Sequence, residues 1–155
     1  MIQLLPVTIV FVDAAFWLLL LVFFVFVYRR RKSRALLCLA LYVAASLIAT
    51  FVRQNLIGPF VSISKLPTIG GAVVMVPELV PVYLTACLMS LSDVCALLLV
   101  LSEITAMLRE ISSQPNPGLP RFLSAVHSHA RLVGVAAVIF ALASPVPTLV
   151  YLSRH

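Results

Sequence analysis

Three acidic side chains stand inside long apolar stretches of the sequence, and their chemistry needs an explanation. Asp13 lies in the first stretch, Asp93 near the centre of a later one, and Glu103 close to the end of that same stretch. A charge at the centre of a bilayer costs at least about 2.5–3.5 kcal/mol, so it tends to be paired or functional. These carboxylates are candidates for a path that carries a proton or a cation. The interpretation we favour is a packing role, in which Asp93 makes a hydrogen bond between helices and Glu103 an interfacial salt bridge.

Two histidines in "SAVHSHARLVG", residues 124–134, are candidate haem ligands, because imidazoles from helices hold haem iron in membrane proteins. His127 and His129 are two residues apart, so they point to different sides of a helix and cannot grip one iron from opposite faces. One of them can bind haem or line a quinone site if another helix or chain supplies the rest. The interpretation we favour is a pair of polar residues near the headgroups, with Arg131 one turn beyond His127.

The same eleven residues resemble the H-x-H followed by glycine in the small haem-binding anchor subunit of succinate dehydrogenase. That family continues with an aspartate–tyrosine pair, whereas positions 138–140 of this chain are Val, Ile and Phe. The resemblance implies a haem site, but the missing pair means that the family's function is not carried over.

Motifs for catalysis and for metal binding are missing from the sequence. It contains no G-x-S-x-G, P-loop, H-E-x-x-H or dinucleotide fingerprint. Cys38, Cys87 and Cys95 have no C-x-x-C spacing and are expected to be small buried hydrophobic residues. We therefore predict that the chain is not an enzyme, although it can belong to an enzyme complex, and that it holds no metal. We predict no cofactor beyond bound lipid, with haem as the open alternative.

The elements that position these residues are membrane-spanning helices. The chain has 155 residues, of which 63% are hydrophobic and 10% charged, far from the composition of a soluble domain. Crossing a bilayer takes about 20 residues of helix. The apolar stretches predict an all-α, polytopic protein of one membrane-embedded domain, 1–155, with four transmembrane helices and short loops. The predicted spans are about 5–28, 35–57, 77–108 and 121–152.

Proline and glycine mark the connections between the spans. Gly58 and Pro59 follow the second span, and "SSQPNPGLP", residues 112–120, follows the third. We favour a third span that starts near Pro77, where proline suits a first helical turn. The stretch 72–76 stays open between an interfacial segment, a re-entrant segment and a part of span 3.

Small residues predict where the helices pack, because close approach replaces hydrophobic burial between helices in lipid. The fourth span has a heptad stripe of them at Ala130, Gly134, Ala137, Ala141 and Ser144. The first span is instead rich in aromatic residues, among them Phe16, Trp17 and Phe23. We expect that helix to face lipid or a partner subunit over much of its surface.

Basic residues predict the orientation, because cytoplasmic or matrix loops carry an excess of Lys and Arg. With four spans, eight basic residues fall on one side and three on the other. Both termini are therefore expected on the outer side. Five of the eight form one run that we expect to contact anionic lipid headgroups and not nucleic acid: Arg29, Arg30, Arg31, Lys32 and Arg34.

Three functions remain open after these exclusions. Short loops and the aromatic first span favour a non-catalytic accessory subunit, with other membrane proteins as partners. A respiratory or ATP synthase assembly of the mitochondrial inner membrane is the specific expectation, on general plausibility and not on particular residues. The alternatives are a small proton or ion channel or transporter that uses Asp93 and Glu103, and a haem or quinone anchor that uses His127 or His129.

Overall fold

The computed structural model describes residues 4–57, 68–69, 72–73, 80–111 and 121–153. The proline-rich connection 112–120, the break at Gly58 and Pro59, and the favoured helix start near Pro77 lie outside the described residues. Six α-helices and a π-helical turn make up most of the described chain. They are α1 (Leu4–Arg31), α2 (Arg34–Val52), the π-helical turn (Arg53–Ile57), α3 (Val80–Ile111), α4 (Arg121–Ser128), α5 (Ala130–Ala143) and α6 (Val146–Ser153).

Four stretches of these helices are long and apolar enough to cross a membrane: Val12–Arg31, Arg34–Leu56, Val80–Ile111 and Ala130–Ser153. The shortest has 20 residues, which matches the length that a bilayer requires. The prediction of an all-α, multi-pass membrane protein with four spans is therefore confirmed.

Two breaks divide the last span, which the sequence predicted as continuous. His129 separates α4 from α5 with φ −101° and ψ 22°. Pro145, which has no N–H to donate, separates α5 from α6, and the Ser144 Oγ hydroxyl donates instead to the Ala141 carbonyl at 2.9 Å. The predicted span 121–152 is therefore divided into three helices, of which α5 and α6 make up the candidate crossing Ala130–Ser153.

A short antiparallel pair of strands lies in the connection between α2 and α3. Thr68–Ile69 (β1) pairs with Ala72–Val73 (β2) in the register Thr68 with Val73 and Ile69 with Ala72. Ala72 and Val73 are thus not part of a helical third span, whereas 74–76 lie outside the described residues. Pro81 stands in the first turn of α3, where a missing N–H costs nothing.

The core forms where α2, α3 and α5 meet. The predicted small residues of the last span are all buried there: Ala130, Gly134, Ala137, Ala141 and Ser144. A Cβ atom added at Gly134 would overlap the Cβ and Sγ atoms of Cys38, so α5 approaches α2 as closely as a glycine allows. Farther along, the Thr85 and Thr148 hydroxyls lie 3.0 Å apart and join α3 to α6.

Helix α1 lies at the edge of this core and packs against α2. None of residues 12–31 of this helix is buried, and Leu19 and Phe16 are 70% and 58% exposed. Where α1 ends and α2 begins, the chain reverses through Lys32, whose φ is 50°. We call this end of the bundle, with Arg29, Arg30 and Arg31, the basic end, and the opposite end, where α2 passes into the π-helical turn, the distal end.

Candidate functional site

A cavity of about 310 Å³ opens between α1, α2, α3 and α5 in the distal half of the bundle. We call it the distal cavity. Polar and charged side chains make up most of its lining, which is unusual inside a membrane. It is lined by Asp13, Trp17, Tyr42, Ser46, Ala49, Thr50, Arg53, Gln54, Met89, Ser92, Asp93, Ala141 and Ser144.

Two of the three predicted ion-path residues meet at this cavity. Asp13 comes from α1 and Asp93 from α3, and both carboxylates line it. Helical spacing explains why each carboxylate has a second lining residue from its own helix beside it. Trp17 stands one turn beyond Asp13, and Met89 one turn before Asp93, so each pair shares a helix face.

Asp93 is held by a hydrogen bond between helices. The Tyr42 hydroxyl of α2 donates to Asp93 Oδ1 at 2.6 Å, and Tyr42 itself is 6% exposed. The Asp93 side chain is otherwise exposed toward the cavity. The packing role predicted for Asp93 is therefore present, and it leaves the second carboxylate oxygen available to the cavity.

Arg53 supplies positive charge where α2 passes into the π-helical turn. Its guanidinium donates to the Ala49 carbonyl at 3.3 Å, to Thr50 Oγ1 at 3.4 Å and to the Met89 sulfur. All three acceptors are neutral. The contact with Met89 joins the turn to α3. Single π-helical turns recur at functional sites because they redirect side chains locally. Here the turn begins at Arg53, which lines the cavity.

A second cavity, of about 340 Å³, lies at the basic end. We call it the basic-end cavity. It is lined by Arg31, Ser33, Glu103, Ala106, Glu110 and His127. The predicted ion-path residue Glu103 therefore lines a different cavity from Asp13 and Asp93.

Glu103 is buried among polar partners, with 4% of its side chain exposed. Ser33 Oγ donates to Glu103 Oε2 at 2.7 Å, and Arg31 Nε lies 3.3 Å from Oε1. That second approach is an ion pair without hydrogen-bond alignment, since Oε1 has no hydrogen-bond partner among the described residues. Arg31 Nη2 also reaches Glu110 Oε1 at 2.9 Å. The predicted salt bridge of Glu103 is thus present, but it is buried.

The reversal between α1 and α2 explains how Ser33 reaches Glu103. Lys32 adopts the left-handed conformation typical of the residue after a helix, and its N–H donates to the Tyr28 carbonyl at 2.7 Å. Ser33 then occupies the N-cap position of α2 without capping that helix through its side chain. Its hydroxyl is therefore available to Glu103 on α3.

The two histidines do not come together. His127 is exposed and lines the basic-end cavity. His129 is exposed at the junction of α4 and α5, where its Nδ1 lies 2.9 Å from Ser128 Oγ and 3.0 Å from the Ala125 carbonyl. No group of three or more metal-ligating side chains occurs in the described ranges. A haem or quinone site at His127 or His129 stays a prediction.

The basic run divides between two environments. Arg29, Arg30, Lys32 and Arg34 are exposed, and the Arg30 guanidinium lies 4.9 Å from the centre of the Phe26 ring. Arg31 turns inward to Glu103 and Glu110. Four of the five residues therefore have the exposure that headgroup contact requires.

No family model, curated protein or solved structure matches this chain.

Tyr42, Trp17 and Arg53 line the distal cavity but were not predicted as site residues. Arg53 lies within the predicted second span and is one of the three basic residues counted toward the outer side. A signal was present, because Tyr42, Ser46, Ala49 and Arg53 recur at helical spacing and so share one face of α2. That face is polar in a span that is otherwise apolar, which points to a site.

The cysteines correct one expectation. All three are free, but only Cys38 is buried, whereas Cys95 is half-buried and Cys87 is exposed. The prediction of buried cysteines is wrong for Cys87, because apolar character in a membrane helix does not tell a core-facing position from a lipid-facing one.

Proposed function

We propose that this protein moves a proton or a small cation across the membrane by way of Asp93 and Glu103. One observation carries the proposal: these two acidic residues of α3 line separate cavities at different depths. They are ten residues apart, which corresponds to about 15 Å along a helix. Asp13 joins Asp93 at the distal cavity, although the two are eighty residues apart in the chain.

An apolar layer separates the two cavities along the helices. Leu39 of α2, together with Ala96 and Leu99 of α3, stands between the polar residues of the two ends, and each is at most 7% exposed. Ser102, which is buried three residues beyond Leu99, donates to the Leu99 carbonyl of its own helix. A layer of this kind blocks a continuous file of water, so the proposed passage needs a movement of the helices, as in a carrier, and not an open pore.

The test is flux through the purified protein in liposomes. Asp93→Asn and Glu103→Gln keep the side-chain size and remove the charge, and each is expected to reduce proton or cation flux to that of protein-free liposomes. Ser90→Ala is the matched control, because Ser90 is exposed on α3, one turn before Asp93, and donates to the Ala86 carbonyl of its own helix. It is expected to leave flux unchanged. Normal flux in Asp93→Asn, with the variant eluting as the native protein does, would reject the site.

A second proposal concerns assembly, and the exposure of α1 favours it. None of residues 12–31 of α1 is buried, so this helix presents aromatic side chains such as Phe16 and Phe23 to its surroundings. This supports a non-catalytic subunit of a larger membrane complex. In this proposal the complex is a respiratory or ATP synthase assembly of the mitochondrial inner membrane, and both termini of the chain lie on the outer side. If the purified monomer carries flux by itself, the accessory-subunit proposal is wrong.

A further inference from the structure

The distal cavity has an unbalanced charge. Its lining carries two carboxylates, Asp13 and Asp93, and one guanidinium, Arg53, so its formal charge is −1. Within the part of the chain that the structure describes, ion pairs are made by Arg31 alone, and neither Asp13 nor Asp93 has one. Charges inside a membrane are normally compensated by a partner. A single positive charge in the cavity would supply that compensation.

Aromatic rings stand beside these carboxylates. Trp17 and Tyr42 both line the cavity, with their ring centres 6.5 Å apart and their planes at 69°. The faces of aromatic rings attract cations, and tryptophan does so most strongly. Carboxylates and aromatic rings that line one cavity form a combination that recognises ammonium groups, including quaternary ones that donate no hydrogen bond.

The size of the cavity favours an organic cation over a bare metal ion as its ligand. Its volume of about 310 Å³ stands at the lower end of the range for small-molecule sites. A water molecule takes about 30 Å³, so a single dehydrated ion would leave most of this space unfilled. In addition, the described residues contain no cluster of three metal-ligating side chains.

We propose that the distal cavity binds a small organic monocation, of the alkylammonium class, between the carboxylates of Asp13 and Asp93 and against the ring of Trp17. This inference rests on the proposed transport function and names the class of the transported cation. The Tyr42 hydroxyl keeps Asp93 in place by its hydrogen bond. Arg53 adds one positive charge to the lining without pairing with either carboxylate, so the formal charge of −1 calls for one further positive charge and not for two.

Trp17 provides the measurement, because it is the one tryptophan of the sequence. The protein is purified in detergent and titrated with tetramethylammonium chloride, with sodium chloride at the same ionic strength as the reference. We expect a saturable change of tryptophan fluorescence with tetramethylammonium and none with sodium. Isothermal titration calorimetry on the same samples measures the binding independently of the fluorophore.

Substitutions then locate the bound cation. Asp13→Asn and Asp93→Asn are each expected to raise the half-saturating concentration by about tenfold or more, as for the loss of one partner of a charge pair. Trp17→Phe, followed by calorimetry, is expected to weaken binding by less, since phenylalanine keeps a ring face. Ser90→Ala is the control and keeps the wild-type affinity. Each variant is compared with the native protein by its elution in size-exclusion chromatography.

The outcomes separate this inference from the transport proposal. No saturable signal by either method, or an equal signal with sodium, overturns the alkylammonium site even if protons cross the liposome membrane. Unchanged affinity in both aspartate variants also overturns it. Saturable binding that needs Asp13 and Asp93 supports the site, and binding of this kind without any flux rejects the transport proposal alone.

Discussion

Glu103 is a buried carboxylate that depends on neighbours from another part of the chain. Ser33 donates to one of its oxygens, and Arg31 supplies positive charge near the other. A buried charge that loses its partner costs more than the pair contributes, because the remaining charge stays out of water. Arg31 therefore has a different role from the exposed arginines beside it, although all of them belong to one run in the sequence.

We predict that Arg31→Gln destabilises the protein by roughly 1–3 kcal/mol, a value reduced from that of a fully buried pair because Arg31 is 26% exposed. Arg30→Gln is the matched control, since Arg30 is exposed and contacts the Phe26 ring. It is expected to change stability by less than about 1 kcal/mol. Thermal unfolding in detergent measures both variants.

The double variant Arg31→Gln with Glu103→Gln checks the cause. Removing both charges leaves neutral groups of similar size in the same place, so most of the lost stability is expected to return. Equal melting temperatures of Arg31→Gln and Arg30→Gln, or no recovery in the double variant, would contradict the account of Glu103.

At the scale of elements, the contact of α5 with α2 sets how closely the core can pack. Gly134 faces Cys38 with no space for a side chain. Helix propensity alone favours alanine over glycine by about 1 kcal/mol. Close packing of small residues is what holds membrane helices together, so the two effects have opposite signs at this position.

We predict that Gly134→Ala destabilises the protein by about 1–3 kcal/mol, because the added Cβ must displace Cys38 or separate the helices. Val135→Ile is the control, since it adds one carbon to the neighbouring residue, which is 56% exposed. That change is expected within about 0.5 kcal/mol of the wild type. Chemical or thermal unfolding in detergent decides the sign, and a stabilised Gly134→Ala would show that propensity outweighs packing here.

The sequence predicts the elements better than the contacts between them. The spans follow from apolar length, since a bilayer demands about 20 helical residues. The breaks at His129 and Ser144 to Pro145 were not predicted, although Pro145 carries a local signal for the second. The stripe from Ala130 to Ser144 was predicted because small residues alone permit close approach.

The candidate site was predicted only in part, for a physical reason. Asp13, Asp93 and Glu103 were singled out because a charge in lipid is costly wherever it lies. Which of them share a cavity depends on the rotation of each helix and on its neighbours, and no pattern within one span contains that information. The inward turn of Arg31 therefore became visible only in the assembled bundle, and so did the meeting of Asp13 with the polar face that carries Tyr42 and Arg53.

At the scale of the whole molecule, four spans place the basic end and the two chain ends on opposite faces of the membrane. The exposed residues Arg29, Arg30, Lys32 and Arg34 stand at the turn from α1 to α2. Loops with such an excess of positive charge stay on the cytoplasmic or matrix side. This charge excess predicts a direction for both cavities: the distal cavity is expected to open toward the outer half of the bilayer and the basic-end cavity toward the inner half.

We predict that a cysteine at position 32 and one at position 153 are labelled from opposite faces of the membrane. The substitutions Lys32→Cys and Ser153→Cys use two exposed positions, and Cys38, Cys87 and Cys95 are first replaced by alanine to remove background labelling. In sealed membranes of known orientation, a membrane-impermeant maleimide is expected to react with position 153 from the outer face. Position 32 should react only after the membrane has been permeabilised. Labelling of both positions from one face would mean an even number of crossings between them instead of three, and it would contradict the four-span topology from which the two cavities take opposite directions.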